Sequence, residues 1–168
     1  NPANFRVELR PVSAAMMTHG GTPHWVDIPN RRAVVRLDTG APIAVVSNHY
    51  TLVPHSRILD TVRDAVEPLG LGTVPRGIYV DRRGNRMRAL YKFPSLTQSV
   101  LSGDDICPLV KVENSLDASG RLRLHIGAFR FVCTNLNVGG PGAFAGGFIS
   151  MHVGDIPIED IGGQLATY

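Results

Sequence analysis

The sequence predicts an α+β fold in which an antiparallel β-sheet, built from hairpins, packs on one main helix. The 168 residues include 18 Gly and 12 Pro, and this supply of turn-forming residues favours short elements joined by turns. Several segments alternate apolar and polar residues with the period of two that is typical of half-buried strands. One long segment places its apolar residues at helical spacing instead.

The first strands are predicted to follow an N-terminal arm, residues 1–23, in which Asn, Pro, Thr and Gly surround short apolar pieces. Trp25 to Ile28 predicts a short strand that ends at Pro29-Asn30. The alternating segments Arg31–Leu37 and Ile43–Val46 then predict a hairpin, because a turn of Asp38-Thr39-Gly40 follows the first of them.

The main helix is predicted over residues 56–68. Its apolar positions have the spacing of one helical face and are Ile58, Leu59, Val62, Ala65, Val66 and Leu69. Ser56 or His55 lies where an N-cap is expected, and Gly70 is expected to end the helix.

Two further hairpins are predicted after this helix. Gly77–Asp81 pairs with Arg86–Phe93, and Ile106–Glu113 pairs with Arg121–Cys133. The apolar phase of the last strand changes at Gly127, which predicts a β-bulge there. In the turn before this strand, Asn114 and Asp117 are expected to bond local backbone amides, and Gly120 is available for a positive φ.

Charge is distributed unevenly along the chain. Residues 1–138 are predicted to form the core domain, including the arm, and residues 139–168 a Gly-rich loop with a C-terminal tail. The formal net charge is +3, but the tail has three acids and no base, so residues 1–138 carry +6. A basic domain of this kind is compatible with a polyanionic partner.

Strand alternation places most of these bases on one predicted sheet face. The candidate nucleic-acid-binding residues are Arg32, Arg36, Arg86, Arg88, Lys92, Lys111, Arg121, Arg123 and Arg130. Guanidinium groups on a rigid platform suit phosphate binding, because each can donate two parallel hydrogen bonds to phosphate oxygens. Phe5, Tyr50, Tyr79 and His125 are candidate stacking surfaces for unpaired bases. The alternative is a solvated or oligomeric polar face.

Most motifs that would indicate an enzyme are absent from the sequence. We find no phosphate-binding Gly-rich loop, no zinc-ligand spacing and no nucleophile elbow, so no catalytic residue, metal or cofactor is expected. Cys107 and Cys133 are interpreted as buried reduced thiols. No apolar run is long enough to cross a membrane and no leader is visible, so we expect a cytoplasmic protein without a membrane partner.

Three segments resemble a known family. Val45–Val53 matches its "VVSxxYxLV" pattern, Val112–Arg123 its "NSxDGSxxxR" turn and Arg130–Asn135 its "RxVCxN" strand end. The family is the phage/plasmid-like domain of unknown function, and the resemblance covers residues 31–138. The sequence departs at Ala118, where the family favours Gly. The resemblance implies a mobile-element origin and no established activity.

The predicted architecture is also similar to the single-strand annealing recombinases of phages, which form rings or filaments and hold single-stranded DNA along a basic groove. This similarity implies a non-enzymatic recombination protein whose partners are single-stranded DNA and further copies of itself. One alternative is a structural or host-interaction protein of a phage or plasmid without nucleic-acid binding. Another is an enzyme acting on nucleic acid, with Asp104, Asp105 and Asp117 holding a divalent ion.

Overall fold

The computed structural model describes residues 1–70, 74–101, 104–130, 144–158, 160 and 163, and these form two antiparallel sheets and one α-helix. The predicted α+β class is therefore confirmed. The strands are β1 (Val7–Met17), β2 (Pro23–Arg36), β3 (Pro42–Ser47), β4 (Val74–Val80), β5 (Arg86–Lys92), β6 (Gln98–Leu101), β7 (Asp104–Ser115), β8 (Leu122–Arg130) and β9 (Phe144–Ser150). The helix is α1 (His55–Val66).

The first sheet has three strands in the order β1-β2-β3. The pairing of β2 with β3 confirms the first predicted hairpin. The predicted arm contains β1, and β2 does not end at Pro29-Asn30, because Asn30 continues the strand with a φ of 59°. β3 pairs only with Arg31–Val35 of β2. The paired segments Ser13–Met17 and Pro23–Asp27 therefore extend beyond β3 as a two-stranded ribbon, here called the outer ribbon.

The second sheet has six strands in the order β4-β5-β7-β8-β9, with β6 also pairing with β7. It contains both later hairpins that the sequence predicts. β9 lies in the segment that we interpreted as a Gly-rich loop and tail. A Cβ at Gly147 would collide with the carbonyl oxygen of Leu124, so glycine here allows β9 to approach β8 closely.

The observed helix agrees with the predicted helix over residues 56–68, but the N-cap at its first turn differs from the expected one. A 3-10 turn, Glu67–Leu69, follows α1, and Gly70 ends it with a φ of 62°. The N-cap is Pro54 without a side-chain hydrogen bond, so the expected cap by Ser56 or His55 is wrong. Within the described ranges, no helix has the length and apolar character needed to cross a membrane.

The main core lies between α1 and one face of the six-stranded sheet. The helix buries Ile58, Leu59 and Val62 there. The sheet contributes the apolar side of β5 that alternation predicts, together with residues of β7 and β8: Met87, Ala89, Tyr91, Phe93, Val110, Val112, Leu122 and Leu124. Cys107 is buried as expected, and Cys133 lies outside the described residues.

A group of buried hydrogen-bonding groups connects the two sheets to the helix. We call it the buried polar node, and it contains the side chains of Tyr50, His55 and Asn114 and the backbone carbonyls of Val53 and Ser115. Asn114 Nδ2 donates to the Val53 carbonyl at 3.0 Å and to His55 Nδ1 at 2.9 Å. His55 Nε2 therefore carries the proton and donates to the Gly84 carbonyl at 3.1 Å, because a carbonyl oxygen only accepts. The Tyr50 hydroxyl donates to the Ser115 carbonyl at 2.9 Å.

The turn between β7 and β8 agrees with its prediction only in part. Asp117 Oδ1 accepts from the Ser119 amide at 3.0 Å, as expected. Asn114 bonds no local amide, because its side chain lies in the core. The positive φ falls on Ala118, at 58°, and not on Gly120. This is the position at which the resembled family favours Gly.

We predict that Ala118→Gly stabilises the protein. A left-handed φ costs an L-residue with a Cβ about 1–2 kcal/mol, and glycine avoids most of that cost but loses some entropy in the unfolded chain. The expected net gain is about 0.5–1 kcal/mol in the free energy of unfolding, measured with urea. The matched control is Ala41→Gly, at an exposed alanine without a positive φ, which is expected to lose stability. Equal effects of the two changes would contradict the prediction.

We also predict a loss of stability on mild acidification, because His55 is buried. Burial lowers the pKa of His55 from 6.5 to about 4, so the unfolded chain takes up the proton first. The free energy of unfolding is expected to fall by roughly 3 kcal/mol as the pH drops from about 6.5 to about 4. Burial also lowers the pKa of His152 and adds to the fall. Urea titrations at each pH measure this slope.

His55→Gln keeps a donor for the Gly84 carbonyl and does not titrate in this range. The free energy of unfolding of this variant is expected to change less steeply with pH than that of the wild type. His49→Gln is the control, because it makes the same substitution at an exposed histidine. A His55→Gln protein with the wild-type slope would show that another group causes the acid sensitivity.

Candidate functional site

The side of the six-stranded sheet that faces away from α1 carries the candidate site, and we call it the outer face. Residues directly opposite each other on antiparallel strands share a face. The register therefore places one row of side chains across five strands: Tyr79, Arg88, Glu113, Arg123 and Ile149. A second row contains Leu90, Lys111 and His125.

An open groove of about 940 Å³ follows the outer face. Its lining includes five bases, namely Arg86, Arg88, Lys111, Arg121 and Arg123. Two acids, Asp81 and Glu113, also line it, so its formal net charge is +3. The structure thus brings together five of the nine candidate residues, as strand alternation predicts.

Glu113 lies at the centre of this groove and neutralises part of its charge. Its carboxylate accepts from Lys111 Nζ at 2.9 Å and from Arg88 Nε at 3.1 Å. Burial raises the pKa of Glu113, but the hydrogen bond and charge of Lys111, followed by those of Arg88, outweigh it and leave the pKa below its usual value. Glu113 is therefore ionised and holds Arg88 and Lys111 in place.

Arg121 and Arg123 keep their charge available, whereas the nearby Asp117 carboxylate compensates part of the charge of Arg86. Arg86 Nε donates to the neutral Ser119 hydroxyl at 3.0 Å. Arg86, Arg121 and Arg123 are exposed, and none of them has a carboxylate within ion-pair distance among the described residues. All three lie at the end of the sheet where β5 and β8 begin, on the two strands that flank β7.

Tyr79 adds an exposed aromatic ring to the same face. Its side chain is 59% exposed and lies opposite Arg88. A Cβ at Gly77 would lie 2.8 Å from the ring carbon Cε2, so the ring rests over the backbone of Gly77. The absence of a side chain at Gly77 therefore allows this ring to lie against its own strand.

The other stacking candidates are buried or half-buried. Phe5 and Tyr50 are in the core next to the three-stranded sheet, and Tyr50 stacks on His152 with ring centroids 5.2 Å apart. Burial, followed by the charge of Lys111, lowers the pKa of the half-buried His125. The interpretation of Phe5 and Tyr50 as stacking surfaces for a ligand is wrong, and Tyr79 is the residue that fits it.

Two candidate bases belong to the other sheet, so the prediction that all share one face is wrong for them. Arg32 is exposed on β2 opposite Val46. The Arg36 guanidinium lies 4.0 Å from the centre of the Phe5 ring and pairs with Asp38 at 2.6 Å. Alternation assigns residues to a face of their own strand and does not say which sheet contains the strand.

Lys92 and Arg130 also lie outside the groove lining. Lys92 is 8% exposed and opposite Leu109, which is buried. The side chain of Arg130 is outside the described part of the structure. Its backbone is opposite Ile106, and at about 3.3 Å per residue it lies roughly 23 Å along β8 from Arg123. The irregularity predicted at Gly127 falls on the pairing with β9, and the register with β7 is unbroken.

The carboxylates of the enzyme alternative do not form a cluster. Asp104 and Asp105 are at the start of β7, and Asp117 follows its other end. In the parts of the chain that the structure describes, no group of three His, Cys, Asp or Glu side chains could hold a metal ion.

Sequence reasoning missed two contributions to the site. Ile149, which is 56% exposed, extends the central row onto β9. The glycines before Ile149 are typical of a loop, so the sequence does not predict this strand. The alternation of apolar and polar residues from Phe148 onward is a weak signal for it. Ser119 orients Arg86 from the next turn, a contact over 33 residues that no local pattern indicates.

Comparison with known proteins identifies one family. No curated protein and no solved structure matches the chain. The family model described as "Domain of unknown function (DUF932)" matches residues 42–158, from the start of β3 to beyond β9. Because this match covers most of the 168 residues and all six strands of the second sheet, the chain belongs to the DUF932 family.

Proposed function

We propose that the groove of the outer face binds single-stranded nucleic acid. The observation that carries this proposal is the combination of three exposed guanidinium groups, on Arg86, Arg121 and Arg123, with the exposed ring of Tyr79. Phosphates attract the arginines through charge and bidentate hydrogen bonds. An aromatic ring next to a cationic track suits stacking of a base.

The same features favour a single strand over a duplex. Stacking on Tyr79 requires an unpaired base whose flat face is accessible, and duplex bases stack on each other instead. Glu113 repels phosphates from the centre of the row. We therefore expect the phosphate backbone to follow the arginines at the start of β5 and β8, with a base directed toward Tyr79.

Strand annealing is the activity that we propose for this binding. Annealing requires a strand held by its backbone with its bases exposed, and no cofactor. The resemblance of three sequence segments to the phage/plasmid-like family supports an origin in a mobile element. The similarity of the predicted architecture to phage annealing recombinases is the reason to propose a role in recombination, in the cytoplasm of the host. Faster pairing of complementary labelled oligonucleotides is the expected result. Tight binding without faster pairing would limit the proposal to binding alone.

The triple variant Arg86→Ala, Arg121→Ala, Arg123→Ala is predicted to weaken binding of a single-stranded oligonucleotide by about tenfold or more at low salt. Each lost phosphate contact also removes about 0.7 from the slope of log affinity against log salt, so the slope should decrease by about 2. Fluorescence anisotropy at several salt concentrations measures both quantities.

A variant with the same loss of charge elsewhere is the control. Arg6, Arg31 and Arg32 are exposed and lie outside the groove, so their replacement by Ala is expected to leave the salt slope nearly unchanged. Equal losses in the two triple variants would show that net charge, and not the groove, attracts the nucleic acid. No binding by the wild type at low salt would favour the structural or host-interaction alternative.

Tyr79→Ala is predicted to weaken binding by about 1–3 kcal/mol, which is roughly 5-fold to 150-fold, because stacking on the ring is lost. Tyr79→Phe keeps the ring and is expected to bind like the wild type. The same anisotropy titration measures both. If Tyr79→Phe weakened binding as much as Tyr79→Ala, the hydroxyl and not the ring face would be the contact.

A further inference from the structure

The outer ribbon is a two-stranded extension that nothing else in the described structure covers. Every residue from Ala15 to Arg32 is exposed. Its exposed apolar side chains include Met16 at 58%, Met17 at 71% and Trp25 at 66%. A two-stranded hairpin without a packed face is marginally stable in water, and independent stability needs three or more strands with an apolar face or packing on a helix. The outer ribbon therefore lacks both a third strand and a packed face.

The ribbon also lacks the charges that protect most strand edges. Residues 12–28 contain one formal charge, Asp27, which accepts a hydrogen bond from the Ser13 hydroxyl at 2.5 Å. The inner half of β1 differs, because Glu8, Arg10 and Pro11 lie there. Charges and Pro are the residues with which proteins block edge pairing. The outer half of β1 is open to another strand.

The hydrogen-bond pattern shows which residues face the open edge. The Thr18 amide donates to the Thr22 carbonyl at 3.3 Å, which makes these two a hydrogen-bonded pair. Hydrogen-bonded and non-hydrogen-bonded pairs alternate along an antiparallel ladder. Ser13, Ala15 and Met17 therefore form the non-hydrogen-bonded pairs with β2, and their N–H and C=O groups point outward.

We infer that the outer ribbon is a self-association surface, where the β1 edges of two copies pair antiparallel about a two-fold axis at Ala15. In this register Ala15 faces Ala15 of the second copy, and Ser13 faces its Met17. Each such pair exchanges two backbone hydrogen bonds. The result is a continuous four-stranded sheet in place of two isolated ribbons.

Composition favours a second copy as the occupant. A nearly uncharged, apolar ribbon does not attract an anion, and a partner with the same composition complements it. Pairing also places the side chain of Met17, which is 71% exposed, directly beside Ser13 of the second copy, so part of its apolar surface leaves water.

This association is independent of the proposed groove function, because the ribbon belongs to the other sheet. Two-fold pairing also uses the edge of both copies and closes at a dimer. A ring or filament would need a second, different contact.

Sedimentation velocity over a wide range of concentration tests the inference with Ala15→Pro and Ala15→Val. Proline removes an outward N–H without breaking a bond to β2, and valine keeps that N–H. The wild type and Ala15→Val are expected at twice the 18.2 kDa of one chain, and Ala15→Pro at a single mass with unchanged circular dichroism.

Trp25 is the only tryptophan of the chain and lies opposite Ala15, so its fluorescence reports on this surface. Its emission is expected to shift to the red on dilution of the wild type, and to stay red at all concentrations in Ala15→Pro. A monomeric wild type, a dimer that survives Ala15→Pro, or a blue shift that appears only with neutral lipid vesicles would overturn the inference.

Discussion

The fold depends on one buried amide. Asn114, which is 3% exposed, lies at the end of β7 and uses both of its N–H groups inside the protein, on the Val53 carbonyl and on His55. Removing either partner would leave a buried polar group unsatisfied, at a cost of about 1–3 kcal/mol. Through these bonds the start of α1 has a fixed position on the six-stranded sheet, and the hydroxyl of Tyr50 attaches the end of β3 to the same place.

This arrangement gives the recognisable sequence segments a structural meaning. Tyr50 and Val53 come from the first segment and Asn114 and Ser115 from the second, although they are 61 or more residues apart. Their buried position suits a role in packing. Most side chains of the groove lie on the opposite face of the sheet, and of these the family patterns include Arg123 and Ser119. A search for function from the patterns alone is therefore directed mainly at the core.

Local periodicity predicted the parts of the fold that depend on neighbours in sequence. It located α1, three hairpins and the row of bases on β5, β7 and β8, because side-chain alternation and helical spacing are set by the chain itself. It could not assign Arg36 to its contact with Phe5, or separate β2 from the other sheet, because pairing partners are not encoded locally. β9 was missed because its glycines, needed for close approach to β8, resemble those of a loop.

The two turns that flank the groove, one before β5 and one before β8, are hydrogen-bonded to each other. The Leu116 amide donates to the Asn85 carbonyl at 2.7 Å, Asn85 Nδ2 donates to Asp117 at 2.5 Å, and His55 bonds the carbonyl of the preceding Gly84. The backbones that carry Arg86 and Arg121 therefore keep a constant separation before any ligand arrives. Association loses less conformational entropy when the binding groups are already ordered. If the groove binds nucleic acid as proposed, the folding of the core prepares the outer face in advance, and a loosened start of α1 would reduce affinity at a surface that it does not touch.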